Sequence, residues 1–376
     1  MVKTVKTAIV GCGTISEKYM ENLKNKFSII DLAGCCDVNV SLSEKMAGKY
    51  GIQQMSMEDI LNDSSIEMVV NLTPPSVHYS VIKQLLEAGR HVYTEKVLSI
   101  EYEQAKELTE LAEEKALYLG AAPDTFLGAA IQNAKDIADS GMVGEVKSCH
   151  AFVNRDYNTL SEFIPYLSKK GGSIGVDVGI YYLTALLFLL GPVSAVTGMK
   201  NKPVERMHRF PFMGNYGETY ETEVESILTG MMEFENGALG TVHFNSDCIF
   251  PEMPGLTVYG TEGILNMADP NGFGGEVSVL RKGQDTPVII PSNYGYAEES
   301  RGLGAAEMAW AIRNQRKHRA NAGLALHAVE ILHGFTQSSE SGRYYRMQST
   351  FEKIPGLKPG YLDRNYPGNN AEGSIV

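Results

Sequence analysis

The sequence predicts two α/β domains in tandem: a doubly wound parallel sheet, then a domain with an open, largely antiparallel sheet. Three observations carry that expectation. Through residue 122, short apolar runs alternate with amphipathic stretches of helical length, the pattern of parallel strands joined by crossover helices. From 194 to 290, strand patterns recur with glycine turns such as "ENGAL" and "YGTEG" between them, the mark of antiparallel hairpins. The 376 residues also exceed the usual size of one domain. The expected boundaries are 1–122, 123–345 and a tail over 346–376, where "IPGLKPGYLDRNYPGNN" should be extended or loosely packed.

The opening stretch "KTAIVGCGTISEKYMENL" reads as a buried strand, a tight glycine turn and an amphipathic helix. Gly11 and Gly13, with Thr14 and Ile15 leading into the helix, stand where a Rossmann fold needs a sharp turn and close backbone approach to a pyrophosphate. Ser16 takes the third fingerprint position and is small enough to let helix and strand approach. A second strand, "IIDLAGCCD", ends in Asp37 at the spacing where a carboxylate accepts from ribose hydroxyls and repels a 2′-phosphate, which favours NAD over NADP. The plainer alternative is that Asp37 only caps the turn into the next helix.

The alternation continues with "EMVVNLTPP" (strand), "SVHYSVIKQLLEAG" (helix), "HVYTEKV" (strand), "IEYEQAKELTELAEEKA" (helix) and "LYLGAA" (strand). Ligands bind outside the carboxyl ends of such strands. Asn71, Thr73, Pro74, Glu95 and Lys96 lie there, so all are candidate cofactor contacts. His78 falls in the first turn of a helix and is either a cofactor contact or structural.

In the second half, a helix ("AAIQNAKDIADSG") and a strand ("EVKSCHAFV") precede "GGSIGVDVGIYYLTALLFLLG", a loop opening into a helix. Strands follow at "SAVTGMK", "TEVESILTGMMEFEN", "ALGTVHFNSD", "LTVYG", "GILNM" and "EVSVLRK", then two helices at "AAEMAWAIRNQRK" and "AGLALHAVEILHGFTQSSE".

Composition excludes several functions. The net charge is −12, and the longest basic cluster, "RNQRKHR" over 313–319, reads as a solvated helix end, which argues against nucleic acid. Five cysteines without paired CxxC spacing suggest neither a disulfide framework nor a zinc site. The eight histidines include no H-E-x-x-H, so no metal is expected. The run "ALLFLLG" is far short of a bilayer span, and no signal-peptide pattern opens the chain. A cytoplasmic protein without a membrane partner is the expectation.

The elements "GCGTIS", "NLTPPSVH", "EAGRHVYTEKV", "DVGIYYL" and "VYGTEGIL" together resemble the glucose–fructose oxidoreductase and inositol dehydrogenase family (Gfo/Idh/MocA). The resemblance implies a Rossmann domain and an α/β domain whose open sheet often mediates dimers or tetramers. It also implies NAD(P)-linked oxidation or reduction of sugars, polyols and related compounds. Family members commonly read Glu-Lys-Pro, often with a cis peptide after the lysine. Here Val97 replaces the proline, and the intrinsic cost of a cis bond before valine predicts a trans peptide. Many members carry histidine four residues after the aspartate matched by Asp177. Tyr181 in that place resembles the glucose–fructose oxidoreductase and dimeric dihydrodiol dehydrogenase branches.

Oxidising a secondary alcohol sends a hydride to nicotinamide and leaves a proton for a side chain to accept. Asp177 and Tyr181, four apart on a helix, share a face, and Gly179 between them would let the backbone pass close to nicotinamide or substrate. A phenol near pKa 10 is a poor base at neutral pH unless a cation stabilises its anion, and Lys96 is the candidate. The expected roles are proton exchange by Tyr181, polarisation of the substrate oxygen and lowering of the Tyr181 pKa by Lys96, and orientation by Asp177. The alternative makes Tyr181 and Tyr182 packing aromatics and Asp177 a helix cap. Two further readings are a thioester chemistry on Cys149 beside His150 and a non-catalytic NAD-binding sensor or scaffold. The first is disfavoured because adjacent strand residues face opposite ways. His243 and His327 read as core or surface residues, and the polar stretch "NRDYN" and the tail are candidates for shaping specificity.

Overall fold

The computed structural model describes residues 3–248, 255–359 and 361. The first half comprises β1 Val5–Val10, α1 Ser16–Asn25, β2 Ile30–Cys36, α2 Val40–Tyr50, β3 Gln53–Gln54, α3 Met57–Asn62, β4 Met68–Asn71, α4 His78–Glu87, β5 His91–Thr94, α5 Tyr102–Glu114 and β6 Leu119–Ala121. Its six strands run parallel in the order β3-β2-β1-β4-β5-β6. The central strands are apolar because helices cover both faces, and all four residues of β4 are buried. Strand order reverses between β1 and β4, which opens a crevice beyond their carboxyl ends.

The second half begins with α6 Ala129–Asp139, β7 Val146–Asn154, α7 Tyr157–Phe163 and α8 Ile180–Leu190. It continues with β8 Val193–Lys200, β9 Glu205–Met207, β10 Thr219–Glu221, β11 Ile227–Phe234, β12 Leu239–Asn245, β13 Gly255–Gly260, β14 Gly263–Met267, β15 Ser278–Arg281 and β16 Val288–Ile289. Helices α9 Leu303–Asn314 and α10 Ala322–Ser341 and strand β17 Tyr345–Arg346 complete it. Nine strands form one sheet in the order β16-β15-β14-β13-β7-β12-β11-β8-β17, while β9 and β10 pair apart from it. Every contact in the large sheet is antiparallel except β7 with β12. The expected hairpin at "ENGAL" joins β11 to β12, with Gly237 at φ +85°.

Helix α8 is buried along its whole length, which explains a sequence apolar on every side. It lies against α6 and α10. No helix among the described residues is long and apolar enough to cross a membrane. Helix α9 returns to β5 and β6 of the first sheet, and α10 packs on α5 and β6 as well as on α8 and β8, so the two halves share a helical seam.

Two sequence expectations are corrected here. The basic cluster is no solvated helix end: Arg316 and Arg319 converge on the buried carboxylate of Glu307, and Arg313 pairs with Glu67. Three cations without nearby acids in sequence find acids in space. The tail is also better packed than its composition suggests. Ile354 and Leu357 are buried, Arg319 donates to the carbonyls of Pro355 and Gly356 at 3.0 and 3.1 Å, and Leu357 N–H donates to Gln132 Oε1 at 2.6 Å. A segment without its own ladder must place its polar backbone on side chains, and it does. Residues 360 and 362–376 of that tail lie outside the described residues.

Candidate active site

The glycine turn closes where β1 ends. Gly11 has φ +98°, and a Cβ there would lie 2.7 Å from the Leu72 backbone, so only glycine fits. A Cβ on exposed Gly13 would meet nothing within 4 Å, which leaves the space before α1 clear of side chains. Thr14 is exposed and Ile15 half-buried at the helix start. Ser16 is buried, with its hydroxyl donating to the Gly13 carbonyl at 2.6 Å, so the serine in place of glycine or alanine tightens the turn. Asp37 accepts from the N–H of Cys12 at 2.7 Å and of Asn39 at 2.8 Å, which ties the end of β2 to the glycine turn. Each carboxylate oxygen keeps a further lone pair for a hydroxyl. An open backbone cradle at a helix N-terminus with an acid beside it fits a dinucleotide.

Thr73 and Pro74 line the rim beyond β4, but two expected contacts are corrected. Asn71 is fully buried: its amide donates to Thr94 Oγ1 at 3.0 Å and accepts from Thr73 Oγ1 at 2.8 Å. His78 is also fully buried, with its ring nitrogens 2.6 Å from the Val97 carbonyl and 2.7 Å from that of Thr73. Both brace the segments that form the crevice instead of lining it. Glu95 accepts from Tyr19 Oη of α1 at 2.7 Å.

The Lys96–Val97 peptide is cis, contrary to the expectation of trans. The intrinsic preference of one bond does not include its surroundings. Here the valine side chain is buried and its carbonyl meets His78.

Lys96 reaches across to the second half. Its Nζ donates to Asp177 Oδ1 at 2.6 Å and to the Asp177 carbonyl at 2.8 Å, and stands 5.8 Å from the centre of the Tyr181 ring. Lys96, Asp177 and Tyr181 are therefore brought together. Asp177 sits in a widened π-type turn over Gly175–Gly179 that leads into α8. Gly179 has a packing task that the sequence did not show, because a Cβ there would strike the Phe244 ring at 2.6 Å. It lets α8 settle on β12.

Tyr157 and Tyr166 complete the group, donating to Asp177 Oδ2 at 2.6 Å and Oδ1 at 2.5 Å. Neither was singled out as a site residue, although Tyr157 belongs to the "NRDYN" stretch. Burial alone would push the Asp177 carboxyl up, but the Lys96 charge and the hydrogen bonds from Lys96, Tyr157 and Tyr166 outweigh it, so it is held below its ordinary value. Burial opposes the Lys96 charge too, and Asp177 reverses that, leaving the ammonium harder to deprotonate.

For Tyr181 the expected lowering is corrected. Burial raises its pKa most, Lys96 and Arg301 lower it, Glu95 raises it, and the net shift is upward. Arg301, whose charge acts on that phenol, was missed by sequence reasoning; its guanidinium donates to Asn271 Oδ1 at 3.0 Å and pairs with Glu299. Tyr182 turns away and donates to Asp269 at 2.9 Å.

The other candidates are engaged elsewhere. Cys149 is buried while His150 meets Thr241 Oγ1 at 2.9 Å on the opposite face of β7. His243 pairs with Thr229 at 2.8 Å, and buried His327 accepts from the Val193 N–H at 2.9 Å.

Comparison with known proteins agrees with this architecture. The family model described as an oxidoreductase family with an NAD-binding Rossmann fold matches residues 5–122, and the Gfo/Idh/MocA C-terminal domain model matches 131–266. The chain is 27% identical to scyllo-inositol 2-dehydrogenase (NAD(+)) of Bacillus subtilis over 70% of its own length and 74% of that protein. It is 26% identical to D-glucoside 3-dehydrogenase of Escherichia coli over 62% and 68% of the two lengths. The solved structure of levoglucosan dehydrogenase with NADH and L-sorbose shares the fold with a TM-score of 0.80 at 18% identity, covering 92% of this chain and 99% of that one. The two domain models, separated by only a short gap, together match well over half of the chain, and the protein belongs to the Gfo/Idh/MocA family of NAD-binding oxidoreductases.

Proposed function

We propose that the protein oxidises a secondary hydroxyl of a sugar or polyol with NAD, or reduces the matching ketone. Residues 1–122 would hold the dinucleotide and 123–345 the substrate. The observation that carries the reading is the Lys96 ammonium, 2.6 Å from Asp177 and 5.8 Å from the Tyr181 ring, at the strand ends beside the glycine cradle. The names of the inositol and glucoside dehydrogenase relatives support a polyhydroxylated substrate.

Gly11, Gly13, Thr14 and Ile15 would take the pyrophosphate, Asp37 the adenosine ribose, and Thr73, Pro74, Glu95 and Lys96 the nicotinamide end. NAD, when bound, supplies the hydride acceptor. Asp177 anchors Lys96, so the ammonium is held with a proton to direct at the substrate oxygen. The Tyr181 phenolate takes the hydroxyl proton in oxidation, and its phenol returns a proton to the oxygen in reduction. Because the Tyr181 pKa is raised, the phenol form prevails at neutral pH. Oxidation should therefore climb as pH rises towards the Tyr181 titration, and reduction should fall over the same range. The Asp177–Lys96 pair, with one group lowered and the other raised, stays charged throughout.

A panel of sugars and polyols assayed through the absorbance of reduced cofactor tests the reading. Tyr181→Phe and Lys96→Ala should each cut turnover at least about a hundredfold with NAD affinity largely kept. Near-normal turnover in both variants refutes it. A non-catalytic NAD sensor would leave a buried lysine, aspartate and tyrosine cluster without employment, and the same panel would return no turnover on any substrate.

The same reading includes a homodimer or homotetramer formed on the outer face of the nine-stranded sheet, where Met199, Met231 and Leu239 are 78%, 49% and 51% exposed. Light scattering of the wild type and of Met199→Glu would show whether that face self-associates. It also includes a reducing, cytoplasmic setting, which suits the buried thiols of Cys12, Cys35, Cys36 and Cys149.

A further inference from the structure

The Lys96–Asp177 pair is held by more than its own two members, and its hydrogen-bond capacity can be counted. An ammonium has three donors, and each carboxylate oxygen has two lone pairs. Lys96 Nζ spends two donors on Asp177, at Oδ1 (2.6 Å) and at the backbone carbonyl (2.8 Å), which leaves one. Asp177 Oδ1 is filled by Lys96 and by the Tyr166 hydroxyl at 2.5 Å, while Oδ2 takes the Tyr157 hydroxyl at 2.6 Å. A carboxylate gripped at one oxygen can turn about its own bond and carry the lysine with it. Gripped at both, it is fixed.

The two phenols reach Asp177 from one stretch of chain that is itself pinned. Tyr157 opens α7 beside the end of β12, where its N–H donates to the Ser246 carbonyl at 2.9 Å, and it is buried. Tyr166 lies in the turn after α7 and is 40% exposed. That turn folds back on itself: the Lys169 N–H donates to the Tyr166 carbonyl at 2.9 Å, and a Cβ on Gly172 would lie 2.0 Å from the same carbonyl. A Cβ on Gly171 would meet the Ile100 side chain at 2.7 Å, so the turn also rests on the segment that follows Lys96. One carboxylate is thus held by a dry phenol and a wet one, each set in place by the backbone around it.

We propose that Tyr157 and Tyr166 are positioning residues, which hold Asp177 at both carboxylate oxygens and so keep the last N–H of Lys96 aimed at the place of the substrate oxygen. This rests on Lys96 being the group that polarises that oxygen. Neither phenol gives up its proton in the task; each acts as a donor to a charged acceptor, the stronger kind of hydrogen bond. Burial, the largest cause, raises both phenols above the ordinary tyrosine value, so both remain donors at neutral pH.

The test follows the Lys96 ammonium directly, in the full chain labelled with ¹⁵N at lysine, with Lys96→Arg identifying the resonance. Hydrogen exchange of that ammonium reports how firmly Asp177 holds it. Tyr166→Phe keeps the ring and removes one donor, and exchange should quicken at least about fivefold, as a looser local structure requires. Tyr157→Phe should act in the same direction. In an Asp177→Asn background, Tyr166→Phe should add less than about twofold, because the carboxylate through which it acts is gone. Turnover in Tyr166→Phe should fall about tenfold, the scale of one lost hydrogen bond to a charged group, with substrate KM and NAD Kd held within about threefold. An unchanged exchange rate in Tyr166→Phe, or in Tyr157→Phe should the first variant fail to fold, overturns the proposal. An effect of equal size with and without the Asp177 carboxylate overturns it too. If exchange quickens as expected while Lys96→Ala keeps normal turnover, the hold on Lys96 stands and the reading of Lys96 as part of the chemistry fails.

Discussion

The two ends of the crevice are built by different means. The dinucleotide end is made of backbone: a glycine turn, a helix start and one acid, all within the first two strands. The end proposed to handle the proton is made of side chains from separate segments, with Lys96 after β5, Tyr157 on α7, Tyr166 in the following turn, and Asp177 and Tyr181 at the entry to α8. A backbone site is specified by spacing in a short stretch. A side-chain site exists only once the chain has folded. The first should therefore fail through steric change at single glycines, and the second through change of charge.

The largest break in this comparison is expected at Gly11→Ala. The added methyl would meet the Leu72 backbone at 2.7 Å in a left-handed conformation, so NAD affinity should fall at least about a hundredfold, with lowered thermal stability. Calorimetric titration with NAD measures it, and affinity within threefold of wild type would show that the turn is not a cradle. Asp177→Asn acts at the other end. It leaves Lys96 without its countercharge and should cut kcat about a hundredfold while the NAD Kd changes little. Equal losses in both quantities would blur the distinction between the two ends.

Asp37→Ala is expected to be milder, weakening NAD about tenfold, the scale of a lost charge-assisted hydrogen bond, and narrowing the preference over NADP. Competition between the two cofactors reads this out.

The smallest effect concerns Asp124, between the two ends. Burial pushes its carboxyl up from 3.8 to about 6. A folded-state value above the unfolded one means a stabilising contribution that is complete below about 3.8 and lost as pH rises through about 6. Asp124→Asn can still accept from Gly302 and Gly304, so urea midpoints measured across that window should decline for the wild type and flatten for the variant. Parallel profiles would refute the assignment.

The same contrast explains what was legible in the sequence. Gly11, Gly13 and Asp37 could be read because their tasks depend on local spacing. Lys96, Asp177 and Tyr181 were found through short motifs that happen to contain them. Tyr157 and Tyr166 were not, since nothing in "NRDYN" or "IPYLS" says which side chains will meet Asp177. Asn71 at the end of β4 and His78 at the start of α4 stand beside the crevice but face inward, a matter of rotamer and packing that position along an element does not decide. The packing of Gly179 on Phe244 of β12 was not legible either, being a contact across more than sixty residues of chain. The two lysine neighbours show the limit most plainly: a residue-by-residue rule gave the wrong isomer for the bond between Lys96 and Val97.

Helix α8 has no wet side, and Tyr181 sits in its first turn. Rolling or sliding that helix would disturb apolar packing all the way round it. The hydroxyl at its start is therefore a fixed point in the molecule, and under the proposed function a polyol of a different shape would have to be turned to reach it. Under that reading, which carbon of a ring is presented there becomes a matter for the loops at the mouth.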